Sequence, residues 1–123
     1  MSKIKVCHLY YDLMNLYGEN ANIRAIEKMC EYQGITCEVS LKTINDKIDF
    51  NSYDIYYMGS GDEKSELLVL EDMIKYKDKI KTSIESGKTF IITGNASELF
   101  GSCIIDNDVK YDALGVFNYN SVH

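Results

Sequence analysis

The stretch FIITGNASELFG, Phe90 to Gly101, runs from an apolar segment into Thr93, Gly94 and Asn95 and then into helix-like residues. That is the outline of a buried strand breaking sharply into a helix, and in parallel sheets ligands bind outside such carboxyl ends. The three residues at the break offer one hydroxyl and no thiol. As a nucleophile, Thr93 would need a strong base beside it, and no histidine follows it before His123. Cys7 lies inside a strand-like run, and Cys103 lies beyond the helix that follows the break, away from the sheet's carboxyl edge. Cys37 also sits in a strand-like run and Cys30 on the inner side of a helix, so the thiols are expected to be reduced and mostly buried. The four cysteines have no CxxC spacing and no paired histidines, so they write neither a zinc site nor a redox motif. His8, at the end of the first strand, is expected to be a satisfied polar residue positioning the next loop. His123 is expected to be an unordered tail residue.

The elements that must position these groups alternate. Ile4 to Tyr10 is a short apolar run suited to a central strand. Ile23, Ile26, Met29 and Cys30 recur at helical spacing from Asn20 to Tyr32, with Gly34 as the stop. Thr36 to Lys42 resumes strand character, and Ile55 to Met58 is a third strand running directly into Gly59, Ser60 and Gly61. Apolar residues from Leu67 to Ile84 then follow a helical pattern up to Gly87, as one long helix or two with a kink. Lys88 to Gly94 supplies a fourth strand, Ala96 to Phe100 the first turns of a helix, and the tail from Cys103 alternates like a β-hairpin. This order predicts a three-layer α/β fold: a mostly parallel sheet flanked by helices, in one domain over residues 1–123.

Composition narrows the functional classes. With 19 acidic and 13 basic residues the net charge is −6, which argues against nucleic acid as the main partner. The lysines between Lys75 and Lys88 are interrupted by Asp78 and Glu85 and read as a solvated helix face. No apolar run approaches the roughly 20 residues needed to cross a bilayer, and the polar start predicts a cytoplasmic protein. Ten tyrosines suit either an interface or a core with satisfied hydroxyls.

Three stretches together resemble one family, the class I glutamine amidotransferase-like domains of the cobyric acid synthase type, and most of all the glutaminase subunit of lipid II isoglutaminyl synthase. HLYYDLMNLYGENAN, from His8, is similar to that family's opening HLYPDxMNxYGDxGN, which makes His8, Asp12, Asn15, Tyr17 and Gly18 motif residues. YDIYYMGSGDEKSE resembles its strand and GGGQDxEQ turn, and DALGVFNYNSV its GLGLLDxxTV block. The resemblance covers nearly the whole chain in order, as the front portion of a longer, flavodoxin-like domain. It lays TGNASELFG on the family's elbow ICGGYQLLG, with Gly94 where the nucleophilic cysteine stands and Glu98 at the glutamine.

The resemblance therefore implies a degenerate nucleophile elbow at Thr93, Gly94 and Asn95, with no catalytic residue, and a turn at Gly59, Ser60 and Gly61 that can offer backbone N–H groups to an oxyanion or ligand. The same glycines equally suit a tight turn with Asp62 or Ser65 capping the next helix. Asp12 can likewise cap a turn through Leu16 instead of serving a functional loop. No cofactor or metal is implied. The main expectation is a non-catalytic scaffold acting through a Mur ligase-like protein partner, a second copy or a small ligand. The alternative is an ammonia-supplying glutaminase subunit or a fragment of one.

Overall fold

The computed structural model describes residues 2–16 and 20–123. Four strands, β1 (Lys3–Leu9), β2 (Thr36–Lys42), β3 (Ile55–Met58) and β4 (Thr89–Ile92), form a parallel sheet in the order β2-β1-β3-β4. Helical crossovers join β1 to β2 and β3 to β4, whereas residues 43–54 carry the chain from β2 to β3 without a helix. Helix α1 (Asn20–Tyr32) covers one face, where Val6, Ile23 and Tyr57 pack together. Helices α2 (Glu63–Met73) and α3 (Lys77–Glu85) cover the other, where Cys7, Leu9, Tyr56 and Met58 meet Val69, Met73 and Ile80. The alternation of Val6 with Cys7 and of Tyr56 with Tyr57 is the period-2 pattern of a sheet buried on both sides. The architecture is thus the expected α/β type with three layers.

Differences from the sequence expectations are local. Strand β1 ends at Leu9, because Tyr10 turns into the left-handed region at φ 51°. The long helical pattern divides into α2 and α3, joined by a 3₁₀ turn over Ile74–Tyr76. There the buried Tyr76 turns inward, its hydroxyl accepting from the Ile48 amide and donating to the Asp46 carbonyl. Strand β4 is shorter than Lys88 to Gly94, and the segment after it is a 3₁₀ helix spanning Gly94–Phe100. Ala96 and Leu99, three apart and both fully buried, share the inner face that three residues per turn provides.

The tail is more than a hairpin. β5 (Cys103–Asp106) and β6 (Val109–Asp112) pair antiparallel as expected, and β7 (Asn120–Val122) adds a parallel strand on the other side of β5. Five tyrosines, Tyr10, Tyr53, Tyr56, Tyr57 and Tyr76, belong to the core, whereas Tyr32 and Tyr119 are exposed. No described helix is long and apolar enough to cross a membrane.

Candidate functional site

In the order β2-β1-β3-β4 the chain reverses direction of growth between β1 and β3, and the crevice outside their carboxyl ends is where such a sheet can hold a ligand. The loops there are packed against one another. The Leu16 amide donates to the Ser60 carbonyl at 2.9 Å. A Cβ at Gly61 would lie 2.5 Å from Met14 Sδ and 2.9 Å from the Leu13 carbonyl, so the β1 loop crosses the turn at a distance only glycine permits. The Gly61 amide donates to Asn95 Oδ1 at 3.0 Å, and Asn95 Nδ2 donates back to the Gly61 carbonyl. This side chain occupies both polar groups of Gly61, including the N–H that the turn can offer a ligand.

At the elbow, Gly94 adopts φ +59°, the left-handed conformation of a sharp strand-to-helix turn. The position its side chain would take is filled. A Cβ on Gly94 would lie 1.7 Å from Ser60 Oγ and 2.9 Å from Ser60 Cβ. Ser60 is buried, and its hydroxyl donates to the Thr93 carbonyl at 3.3 Å. Thr93 turns its own hydroxyl to the Met58 carbonyl at 3.5 Å. Ser60, Gly61, Thr93, Gly94 and Asn95 therefore form one interlocked knot at the carboxyl ends of β3 and β4, with Gly59 leading into it from β3.

The motif residues of the first loop divide. His8 is 1% exposed, pairs in register with Leu41 and Tyr57, and meets the Tyr57 ring edge-on at 5.2 Å on the α1 side. Asn22 Nδ2 donates to the Tyr57 hydroxyl at 2.7 Å. Asp12 Oδ1 accepts from the Leu13 amide and the Thr43 hydroxyl, tying two loops together; residues 11–14 form turns and bends instead of helix. Asn15 is half-buried beside them. Tyr17 and Gly18 lie outside the described residues. Asp62 caps α2, its carboxylate accepting from the Ser65 amide at 2.7 Å, which holds that carboxyl below its usual range.

The thiols stay away from this edge. Cys7 is fully buried and its thiol is pushed up to about 12 by burial, against a weaker pull from Lys42. Cys37, pushed up to about 11 by burial and then by its neighbour Cys30, lies on the α1 face. Cys103 opens β5, buried, with Sγ 3.2 Å from Asn120 Oδ1.

His123 corrects the expectation of an unordered tail residue. The residue as a whole is exposed, but its imidazole keeps only 17% exposure because β7 carries it into a ring of carboxylates. Nε2 lies 2.9 Å from Glu98 Oε1 and 4.0 Å from Glu66 Oε1, and Nδ1 lies 3.3 Å from Asp106 Oδ1. Glu66 is wholly buried and neither of its oxygens accepts a hydrogen bond. Burial and then the facing Glu98 push its carboxyl up to about 8. Burial opposes charge on Glu98 too, but hydrogen bonds with Glu66 and His123 win and hold it below its usual range. Glu98 in turn raises His123. Sequence reasoning missed Glu66, yet the signal is there: it shares the inner face of α2 with Val69, Leu70 and Met73, at core spacing for a helix.

No family model matches the sequence. The chain is 26% identical over 122 residues to the lipid II isoglutaminyl synthase (glutamine-hydrolyzing) subunit GatD of Streptococcus pneumoniae, covering 98% of this chain and 47% of that protein. It is 24% identical over 120 residues to the same subunit of Staphylococcus aureus, covering 97% of this chain and 49% of that protein. The chain thus spans about half the length of the curated relatives it matches.

Proposed function

We propose that this chain forms the front half of a GatD-like glutaminase-type subunit in an assembly that amidates cell-wall precursors, and that its own elbow performs no nucleophilic step. The likeness to two subunits named as parts of a glutamine-hydrolysing lipid II isoglutaminyl synthase supports the setting. Of the two sequence expectations, those names favour the glutaminase subunit over an inert scaffold. The filled elbow bears on the mechanism: where a nucleophile would project, Gly94 has no side chain and Ser60 Oγ takes the space. A glutaminase needs a thiolate or activated hydroxyl, a base and oxyanion donors at one place. In this chain Gly61 N–H is bound to Asn95, and the imidazole of His123 is engaged by carboxylates.

The work of such a chain is then to hold a partner of Mur ligase-like chemistry, a second copy or the remaining half of the subunit. The outer edge of β4 supports that role. Among the described strands β4 pairs only with β3, and Ile91 is 36% exposed beside it. Phe90, Ile92, Phe100, Phe117 and Tyr119 line an adjoining cavity of about 310 Å³. An unpaired edge beside apolar side chains is a template for further pairing. The larger cavity of about 560 Å³ between α2 and β6 shares no lining residue with the elbow and carries no part of this reading.

Co-expression with a Mur ligase-like protein from the same source, followed by affinity purification of either one, tests the proposal. Co-purification that is lost in Ile91→Lys, with the circular dichroism of the variant unchanged, is the expected result. Failure to co-purify, together with a monomer in sedimentation of the chain alone, overturns the partner role.

A further inference from the structure

The group around His123 has the composition and layout of a metal centre. Ligand atoms of Glu66, Glu98 and His123 all lie within 4.8 Å of one another, and they come from three separate elements: α2, the 3₁₀ helix after the elbow, and the residue following β7. Glu66 supplies the independent pointer to a ligand. It is fully buried and aimed into the group, and neither of its oxygens accepts a hydrogen bond; what meets it is a proton shared with Glu98, which a cation would replace. Leaving a buried carboxylate in that state is costly unless a cation or proton meets it.

We propose that Glu66, Glu98 and Nε2 of His123 bind a divalent transition metal of the zinc class, with a fourth position open to water or to an atom of a partner. Tetrahedral zinc with bonds of about 2.1 Å to nitrogen and oxygen places its ligands about 3.4 Å apart. The observed Nε2 separations, 2.9 Å to Glu98 and 4.0 Å to Glu66, bracket that spacing, so side-chain shifts of about half an ångström close the site. Imidazole among the donors selects zinc-like ions over magnesium and calcium. The outer layer is also in place. Asp106 sits 3.3 Å from His123 Nδ1, the position from which a carboxylate fixes the tautomer and orientation of a ligating histidine. A metal here ties β7 and the small sheet to α2 and to the helix that leaves the elbow.

Titration of the chelator-treated chain with zinc chloride, followed by calorimetry, tests the site. One equivalent is expected to bind, and Glu66→Gln and His123→Ala are each expected to weaken it at least tenfold. Asp106→Asn is expected to weaken it by about tenfold through the outer layer. The thiol pair Cys30 and Cys37 is the competing ligand source, so binding must survive in the Cys30→Ser/Cys37→Ser variant. Cobalt substitution in the unaltered chain gives a readout that needs no variant: visible absorption of tetrahedral type is expected without a sulfur-to-metal charge-transfer band. No stoichiometric binding, retention of affinity in both Glu66→Gln and His123→Ala, or loss of binding with the thiol pair each overturns the proposal.

Discussion

Gly94 and Ser60 are coupled through a contact that a double-mutant cycle can measure. In Gly94→Ala the new Cβ meets Ser60 Oγ at 1.7 Å, and rotating the hydroxyl away still leaves Ser60 Cβ at 2.9 Å. The backbone must shift, at an overpacking cost of about 1–3 kcal/mol. Holding a non-glycine residue at φ +59° adds about 1–2 kcal/mol, so the single variant should lose roughly 2–5 kcal/mol in all. Ser60→Gly alone should cost about 1–2 kcal/mol, from one lost hydrogen bond and added chain entropy. With glycine at 60, the nearest remaining atom is the Cα of residue 60 at 3.9 Å, an ordinary contact. The overpacking part then disappears from the double variant while the backbone part remains. Urea denaturation of the four proteins should therefore give a favourable coupling energy of about 1–3 kcal/mol. Additivity within about 0.5 kcal/mol would refute the claim that Ser60 fills the space a side chain at position 94 would take.

Other expectations follow from the core and the thiols. Tyr10→Phe removes a 2.7 Å bond from a fully buried hydroxyl to Asp72 Oδ2 and should destabilise the fold by about 1–3 kcal/mol in the same denaturation assay. Asp62→Ala removes the cap of α2 and should cost about 1 kcal/mol, with α2 amides exchanging faster in hydrogen-exchange measurements. The raised Cys7 thiol makes stability fall at alkaline pH. The unfolded thiol loses its proton near 9.0 while the folded one holds it to about 12, so the unfolded state gains over that window at up to about 1.4 kcal/mol per pH unit. Cys7→Ala should flatten this slope, and Cys7 should resist Ellman's reagent in the native protein; rapid labelling of Cys7 would contradict its burial.

The sheet was legible because its signals are local. The bounds of α1, β2 and β3 follow from helical spacing over Asn20 to Tyr32, alternation over Thr36 to Lys42, and the apolar run before Gly59. The elbow was legible as a break between a strand and a helix, with glycine at its centre. Its closure was not, because Ser60 and Gly94 are 34 positions apart and meet only when β3 and β4 pair. β7 has three residues, too few for alternation to speak, and its place is set by pairing with β5. The ring around His123 depends on that same pairing. Glu66 alone left a trace, as an acid at an inward-facing position of an amphipathic helix.

The central claim is that residue 94 presents no nucleophile, and ammonia release tests it most directly. Purified chain, alone and with a co-expressed Mur ligase-like protein, would be incubated with glutamine and the ammonia measured by a coupled enzyme assay. Ammonia from the chain alone no faster than the buffer control, with any release by the complex unchanged in Cys103→Ser and Thr93→Ala, is the expected result. Glutamine-dependent release by the chain that either substitution abolishes would contradict it.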